Sequence, residues 1–329
     1  TIDNVLEITF IDGNGNKITL PRNKKIGKKI FNSIKLEKEK IPKTSKNSSG
    51  YRIDKITSEK NAHKIIIGSE GTLGIILSAK LNIIDEPKNR ILFIIEYESI
   101  LEAAKNSLEI GKTNPSTLEF VDKNTLKQIK FNFSKKAKCL LYVEYDENIK
   151  KSEKEINLKN SGKIIQKLTT DLEMSKWWRY RDASLHYSLK SIKKENKVPH
   201  IIEDAAVPLE RISELFSILK KIEKKYKTKM ISYGHIGNGN IHVRLIMKRK
   251  KTEIIKKIAA EYFTEIIKNQ GTISAEHGDG LARSEYVKQQ YGHKNFQIFK
   301  KIKQQMDPKN ILNPGKIISK KSTVVKNLK

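Results

Sequence analysis

The residues best suited to chemistry lie in two short glycine-rich segments of the last third of the chain. The first reads YGHIGNGNIH and places His235 and His242 seven residues apart around a bend. The second reads SAEHGDG and sets the carboxylate of Glu276 beside the imidazole of His277. Two histidines and one glutamate suit a divalent metal such as zinc, with positions left open for substrate. We therefore take His235, His242 and Glu276 as candidate metal ligands, and His277 as a candidate proton acceptor.

A simpler interpretation of His235 and His242 remains open. Both could be core or turn histidines whose hydrogen bonds are satisfied within the fold. A lone histidine would favour that interpretation, whereas the glycine context and the neighbouring Glu276–His277 pair favour a site.

Composition narrows the class of protein. The chain has 329 residues, enough for two domains, and a net charge of +29. The lysines are scattered rather than gathered into a basic arm with aromatic residues, so we expect no nucleic-acid partner. Cys139, the single cysteine, lies in an apolar run typical of a buried strand. The sequence contains no apolar run of about 20 residues, the length that spans a bilayer. We expect a cytoplasmic location, with peripheral contact at the inner membrane as an alternative.

The elements before residue 86 surround a glycine-rich turn. Alternating apolar residues predict a hairpin formed by 5–10 and 17–20, and a short exposed helix follows within 22–44. We predict a strand over 62–67, the glycine-rich turn 68–74, and a second strand over 75–84. Glycines in such a turn let backbone amides approach a phosphate or a flavin ring closely.

After Pro87, strands and helices alternate, which predicts an α+β layer. Trp177 and Trp178, in the segment WWRYRD, are interpreted as core residues. The predicted strands cover 91–97, 116–120 and 139–145, and the predicted helices cover 99–110, 149–161, 209–227, 252–269 and 294–306, with a further helix starting at 122. The basic tail 319–329 is expected to be disordered.

Four segments together resemble the flavin-dependent 2-hydroxyacid dehydrogenases, the family of the D-lactate and D-2-hydroxyglutarate dehydrogenases and the glycolate oxidase flavin subunit. GSEGTLGI at 68–75 is similar to the flavin-binding signature of that family. IEDAAVP at 202–208 resembles a strand that precedes a helix in the family, and EHGDGLARS at 276–284 and DPKNILNPGK at 307–316 follow in the family's order. The two histidine segments of the first paragraph belong to the same pattern.

The resemblance implies a fold and a cofactor. Residues 1–86 would be the second half of a PCMH-type FAD-binding domain, and 87–318 an α+β cap domain with an antiparallel sheet, followed by the tail 319–329. FAD would be the cofactor. The implied FAD-binding residues are Gly68, Ser69, Gly71, Thr72, Gly74 and Asn313.

The resemblance also implies oxidation of a D-2-hydroxy acid, with electrons passing to a quinone, a cytochrome or an iron–sulfur protein. Arg181 lies in a segment similar to the family's W-x-x-R helix, where the arginine faces the substrate carboxylate. Arg244 and Arg283 are further candidates, because a guanidinium grips a carboxylate with two parallel hydrogen bonds. His235 and His277 complete the candidate catalytic residues.

The sequence departs from the family pattern in three places. No glycine-rich loop that could hold the FAD pyrophosphate precedes Gly68, so we expect a fragment or one product of a split gene, active with a partner chain that completes the FAD domain. Asn238 stands where relatives commonly carry aspartate, which removes a negative charge near the metal. Leu185 and Ile202 replace the threonine and lysine that bind substrate in hydroxyglutarate-type relatives.

Overall fold

The computed structural model contains two compact units, which we describe separately. The first unit comprises residues 1–43, 47–85 and 272 onward, and the second comprises 44–46 and 86–271. The structure describes residues 1–35, 37, 40–126, 129–184, 186, 198–248 and 252–319.

The elements are numbered along the chain. The strands are β1 (Val5–Ile11), β2 (Lys17–Leu20), β3 (Ile75–Leu81), β4 (Ile91–Tyr97), β5 (Thr117–Asp122), β6 (Cys139–Tyr145), β7 (Lys163–Leu168), β8 (Lys229–Gly234) and β9 (His242–Ile246). The helices are α1 (Lys24–Phe31), α2 (Ile100–Gly111), α3 (Lys123–Leu126), α4 (Ile149–Lys159), α5 (Asp171–Asp182), α6 (Ile212–Tyr226), α7 (Thr252–Lys268), α8 (Gly280–Arg283) and α9 (Val287–Met306).

A three-stranded antiparallel sheet forms the centre of the first unit, in the order β2-β1-β3. The predicted hairpin of β1 and β2 is confirmed. The predicted strand over 62–67 is wrong, because a 3-10 helix covers Glu59–Ile65. The side chain of Asn61 bonds back to the amide of Ser58, and His63 Nε2 lies 2.9 Å from the carbonyl oxygen of Val5. These hydrogen bonds engage polar groups of the segment, which pairs with no strand.

Helix α9 carries the main aromatic contacts of the first unit. Its Phe299 ring lies edge-on to Tyr51 and Tyr291, with centroid separations of 5.3 and 4.9 Å. The predicted helix 294–306 lies within α9, which begins earlier and kinks at Gly292, where φ is +74°. A kink at glycine follows from the backbone freedom of that residue.

The second unit is built on a six-stranded antiparallel sheet in the order β7-β4-β6-β5-β8-β9. This confirms the predicted α+β fold with an antiparallel sheet. Strands β7, β8 and β9 are elements that the sequence pattern did not predict. The predicted strand over 202–208 is wrong, because this segment forms only one isolated bridge, between Ala206 and Asn240.

Both faces of this sheet are covered, which is why β4 and β6 are buried along their whole length. On one face Phe120 of β5 packs against Phe216 of α6, with ring centroids 5.1 Å apart. On the opposite face Trp177 of α5 is 5% exposed and packs in a cluster with Tyr142 and Val121. The prediction that Trp177 is a core residue is therefore confirmed, as is the burial of Cys139.

The predicted sequence domains stay a prediction, and the compact units divide the chain as follows. The change of unit after Asp85 falls beside the boundary predicted at residue 86. The segment from Thr272 onward groups with the first unit, whereas the sequence placed it in the domain 87–318. The tail from residue 320 and Leu185 lie outside the described residues. None of the described helices is both long and apolar enough to cross a membrane.

Gly239 gives a test of the bend between β8 and β9. Its φ is +65°, and a β-carbon built there would lie 1.9 Å from the carbonyl oxygen of Val207. We expect Gly239→Ala to destabilise the second unit by more than about 1 kcal/mol, because overlap adds to the left-handed strain. The measurement is urea unfolding followed by tryptophan fluorescence, since Trp177 and Trp178 both lie in this unit.

Gly15→Ala is the matched control for that experiment. Gly15 also has a positive φ, +84°, but it has open space around its α-carbon and lies in the first unit. It should leave the tryptophan transition in place. Equal midpoints for the wild-type protein and Gly239→Ala would contradict the proposed overlap.

Candidate active site

A buried carboxylate on strand β5 organises the polar face of the second unit. Glu119 is 5% exposed and lies two residues before Val121, so both side chains point to the face that α5 covers. Strand β8 pairs with β5 through Phe120 and Gly234, which brings the next residue, His235, beside Glu119. Glu119 Oε1 lies 2.6 Å from His235 Nδ1.

Helix α5 supplies Arg181 to the same carboxylate. Its Nε and Nη2 donate to Glu119 Oε2 at 2.8 and 2.5 Å. Burial acts to raise the pKa of the Glu119 carboxyl, but the hydrogen bond with His235 and the charge of Arg181 outweigh it and hold that pKa below its usual range. The predicted pair of Arg181 and His235 is thus brought together, and Glu119 joins them.

The hydrogen bonds of Arg181 limit how it could bind a substrate. Two of its nitrogens already serve Glu119, and Nη1 lies 3.8 Å from the exposed carboxylate of Asp182. Nη1 is therefore the edge of the guanidinium that could grip a substrate carboxylate.

His242 enters the same sheet face from β9. It pairs across the strands with Tyr233, and its ring centroid lies 5.2 Å from that of His235. One ring nitrogen from each histidine lies within 4.8 Å of the other, a separation that a single metal ion can bridge. A second carboxylate stands behind His242, since Asp204 Oδ1 lies 3.8 Å from Nδ1.

The other predicted members of the metal set belong to the first unit. Glu276 and His277 are both exposed there, in the turn before Gly278. The predicted set of His235, His242 and Glu276 is thus divided between the two units, and it stays a prediction.

The two remaining predicted arginines are buried and engaged within their own units. Arg244 Nη1 donates to Glu203 Oε2 at 2.5 Å, and Nη2 donates to the hydroxyl oxygen of Tyr233 at 3.2 Å. Arg283, in the first unit, donates from Nε to the carbonyl oxygen of Gly278 at 2.8 Å. Both contacts hold backbone or sheet geometry near the predicted site, and their role toward substrate stays a prediction.

The glycine-rich turn of the first unit has the open backbone that a flavin requires. Gly68 and Gly71 have φ values of +76° and +68°, with no atom within 4 Å of the position of a β-carbon. Their peptide groups are therefore accessible to a phosphate or a planar ring. Gly74 serves packing, because a β-carbon there would lie 2.5 Å from the Phe10 ring.

The side chains of this turn hold its shape. Thr72 is fully buried, donates from Oγ1 to the carbonyl oxygen of Ser69 at 2.7 Å, and lies 2.6 Å from the hydroxyl oxygen of Tyr51. Asn313 Nδ2 donates to the carbonyl oxygen of Glu70 at 2.6 Å. The turn would thus present backbone to a flavin, while Ser69, Thr72 and Asn313 fix the backbone.

Lys303 of α9 ties this turn to the C-terminal motif. Its ammonium donates to the carbonyl oxygens of Thr72 and Leu312 at 2.8 and 2.7 Å, and to Asp307 Oδ2 at 2.5 Å. The Asp307 carboxylate also accepts the amide of Leu312 at 2.8 Å. Lys303 therefore holds the DPKNILNPGK segment against the glycine-rich turn.

Sequence reasoning missed Glu119, Asp204 and Lys303. A signal existed for Glu119, since it is the one charge inside the apolar run TLEFV of a predicted strand. A charged residue in such a run is rarely buried without a partner. Asp204 and Lys303 carry no comparable signal, because aspartate and lysine are ordinary in turns and on helix surfaces.

A family model places these observations among known proteins. The model described as "FAD linked oxidases, C-terminal domain" matches residues 86–317, more than half of the chain. This chain therefore belongs to the FAD-linked oxidase family.

Two curated relatives and one solved structure show how far the likeness extends. The glycolate oxidase subunit GlcD of Bacillus subtilis is 30% identical over 83% of this chain and 60% of its own length. The D-lactate dehydrogenase of Anaerostipes hadrus is 27% identical over 84% of this chain and 60% of its own length. The 4-ethylphenol oxidase of Gulosibacter chungangensis shares the fold, with a TM-score of 0.59 over 97% of this chain and 66% of that one, at 12% identity. The chain thus spans about 60% of the length of these two curated relatives.

Asp279 gives a pH test of the first unit. It is fully buried, and burial raises its pKa from 3.8 to about 7. The folded state therefore holds a proton that the unfolded chain releases, so stability should fall as pH rises from about 4 to about 7. We expect Asp279→Asn to flatten this part of the profile, as measured by urea unfolding with circular dichroism. Parallel profiles for the wild-type protein and the variant would contradict the assignment.

Proposed function

We propose that this chain carries the substrate-oxidising part of an FAD-dependent enzyme that converts a D-2-hydroxy acid to the 2-oxo acid. D-Lactate, D-2-hydroxyglutarate and glycolate are the candidate substrates. The observation that carries the proposal is the buried Glu119 carboxylate with His235 and Arg181 on its two oxygens and His242 alongside. Family membership and the names of the two curated relatives support the same class of reaction.

Each unit would supply one part of the chemistry. The open backbone of Gly68 and Gly71 would hold FAD, which takes up the hydride from the substrate carbon when it is bound. Arg181 would hold the substrate carboxylate through Nη1. His235 and His242, with Glu276, would hold a divalent metal such as zinc, which lowers the pKa of the 2-hydroxyl group.

The proton of the 2-hydroxyl group needs an acceptor. His277 is the proposed base, because an imidazole is matched to proton transfer near neutral pH. Asn238, where relatives commonly carry aspartate, donates from Nδ2 to Ser45 Oγ at 3.1 Å. The side chain is neutral, so the metal would have one fewer negative charge nearby than in those relatives.

Within the substrate class, the chain favours acids with a single carboxylate. Ile202, at the position of the substrate-binding lysine of hydroxyglutarate-type relatives, is 1% exposed and apolar. It cannot pair with a distal carboxylate. D-Lactate and glycolate therefore suit the site better than D-2-hydroxyglutarate.

The electron acceptor would be a quinone, a cytochrome or an iron–sulfur protein. The single cysteine of these 329 residues cannot ligate a four-cysteine cluster by itself, so the ligands of an iron–sulfur acceptor would lie outside them. A quinone acceptor would bring the protein to the surface of the inner membrane.

The exposed strand β3 supports a polypeptide partner in the first unit. All seven residues of β3 are exposed on both faces, and the exposed apolar ones are Ile75, Ile76, Leu77 and Leu81. Among the described residues, β3 pairs only with β1, so its outer edge carries no strand. An apolar strand in this state favours docking of further polypeptide. We propose that the occupant is the remaining part of an FAD-binding domain, which makes the flavin site complete.

A substitution at His242 tests the proposed activity. With excess FAD and the N-terminal part of the Bacillus subtilis glycolate oxidase subunit added, we expect His242→Ala to abolish turnover of D-lactate with a dye acceptor, because it removes one of the two adjacent imidazoles. The thermal unfolding transition should persist. His293→Ala is the control, since His293 is an exposed histidine on α9. Full activity in the His242 variant would overturn the site assignment.

Flavin retention tests the proposed partner. The chain alone should lose added FAD on desalting, and should retain it when mixed with the N-terminal part of the Bacillus subtilis glycolate oxidase subunit. Visible absorption measures both states.

A variant of β3 makes the partner test specific. Ile76→Lys should prevent co-purification of the added polypeptide, because a lysine would interrupt the apolar surface, whereas Lys80→Ala on the same strand should not. Stoichiometric FAD on the chain alone, or equal co-purification with both variants, would contradict the partner proposal.

A further inference from the structure

We propose that Glu119 is a positioning residue. It holds His235 with the proton on Nδ1 and the lone pair on Nε2, and it binds Nε and Nη2 of Arg181 so that Nη1 is the nitrogen left to contact substrate. The inference rests on the proposed function, because it assigns how two of the proposed site residues are held. In this proposal Glu119 acts through His235 and Arg181, and it would contact neither substrate nor cofactor itself.

The first step is the direction of the hydrogen bond to His235. A carboxylate without a proton can only accept, and the distance of 2.6 Å between Glu119 Oε1 and His235 Nδ1 is that of a strong bond. Nδ1 must therefore carry the proton. In the neutral imidazole the lone pair then lies on Nε2, the nitrogen that would bind a metal or accept a proton.

Arg181 shares the carboxylate but does not set the tautomer, because its Nη2 can only donate and its 3.3 Å contact with His235 Nδ1 is longer than the 2.6 Å contact of Glu119 Oε1. Its Nη2 lies 3.3 Å from His235 Nδ1 and 2.5 Å from Glu119 Oε2. Two donors, the guanidinium and the protonated Nδ1, thus share one carboxylate. A histidine with its proton on Nε2 would leave Glu119 Oε1 facing a ring lone pair, which is unfavourable in a buried site.

The second step concerns charge. Glu119 is buried, and the guanidinium of Arg181 compensates its negative charge within a salt bridge. Removing one partner of such a pair leaves the other charge without compensation. Glutamine at this position would keep the shape but would turn an amide group toward donors, so it could not serve His235 and Arg181 together.

The second histidine offers an internal comparison. Asp204 Oδ1 lies 3.8 Å from His242 Nδ1, longer than a hydrogen bond. Asp204 also lies 3.4 Å from Asn240 Nδ2. Glu119 therefore makes the shorter contact with its histidine, and we expect its removal to change the histidine tautomer more than removal of Asp204.

The test compares Glu119→Gln with Glu119→Asp and with a matched control. Glu144→Gln is that control, because Glu144 is another buried glutamate of the same sheet, where it accepts a hydrogen bond from Trp178 Nε1 at 2.7 Å. Glutamine keeps that acceptor. The probes are ¹⁵N NMR of histidine-labelled protein, which reports the tautomer of each ring, and calorimetric titration of metal-free protein with zinc alone. The signals of His235 are assigned by their loss in His235→Asn.

We expect the wild-type protein and Glu144→Gln to show His235 with its proton on Nδ1. Glu119→Gln should lose that signature and raise the zinc dissociation constant about 10–100-fold, the usual effect of removing a carboxylate behind a ligand histidine. Glu119→Asp should restore part of the Nδ1-protonated signature and part of the zinc affinity. An unchanged tautomer in Glu119→Gln would overturn the inference, as would an equal loss in Glu144→Gln.

These readouts separate the inference from the proposed function. Neither requires turnover, so the tautomer decides the role of Glu119 even if no 2-hydroxy acid is oxidised. Loss of D-lactate oxidation in the wild-type protein, with the tautomer shift intact, would reject the function and keep the positioning role. If zinc does not bind the wild-type protein, the role of Glu119 is decided by the His235 tautomer alone: its loss in Glu119→Gln and its partial recovery in Glu119→Asp.

Discussion

The polar face of the second unit depends on one buried salt bridge, between Glu119 and Arg181. Breaking such a pair by removing one partner typically costs about 3–5 kcal/mol, because a buried charge is left alone. The carboxylate is held on a strand whose neighbours are apolar, and it organises a histidine and an arginine from two other elements. Stability and site geometry therefore rest on the same contact, and a substitution there changes both.

The first unit uses a different device, in which side chains shape a turn so that its backbone stays open. Lys303 reaches the carbonyl oxygens of Thr72 and Leu312, and Asn313 reaches that of Glu70. The glycines Gly68 and Gly71 then remain uncovered. Backbone amides suit an anionic cofactor, because they can donate to phosphate without bringing a charge that needs solvation. In this unit the polar side chains of Lys303 and Asn313 therefore bind the backbone of the turn and its neighbouring segment.

These two arrangements agree with membership of the FAD-linked oxidase family, and they divide the work of the proposed reaction. The second unit supplies charge and imidazoles for a hydroxy acid, and the first supplies an open turn for a flavin. The exposed apolar strand β3 is the surface of the first unit on which we propose that further polypeptide docks. The proposed preference for acids with one carboxylate comes from a single apolar side chain, Ile202, at a position where relatives of another specificity carry a cation.

The sequence by itself determined the fold class, the hairpin, three of the six strands and most helices of the second unit, and the segments that hold His235, His242 and the glycine-rich turn. Local periodicity and glycine spacing carry that information. Only the tertiary structure decided that Glu59–Ile65 is a 3-10 helix, that 202–208 forms no strand, and that Glu119 joins His235 to Arg181. Glu119 and His235 are 116 residues apart in the chain, and they meet because β5 pairs with β8. No local pattern encodes that pairing, since strand order depends on which faces the whole sheet can bury.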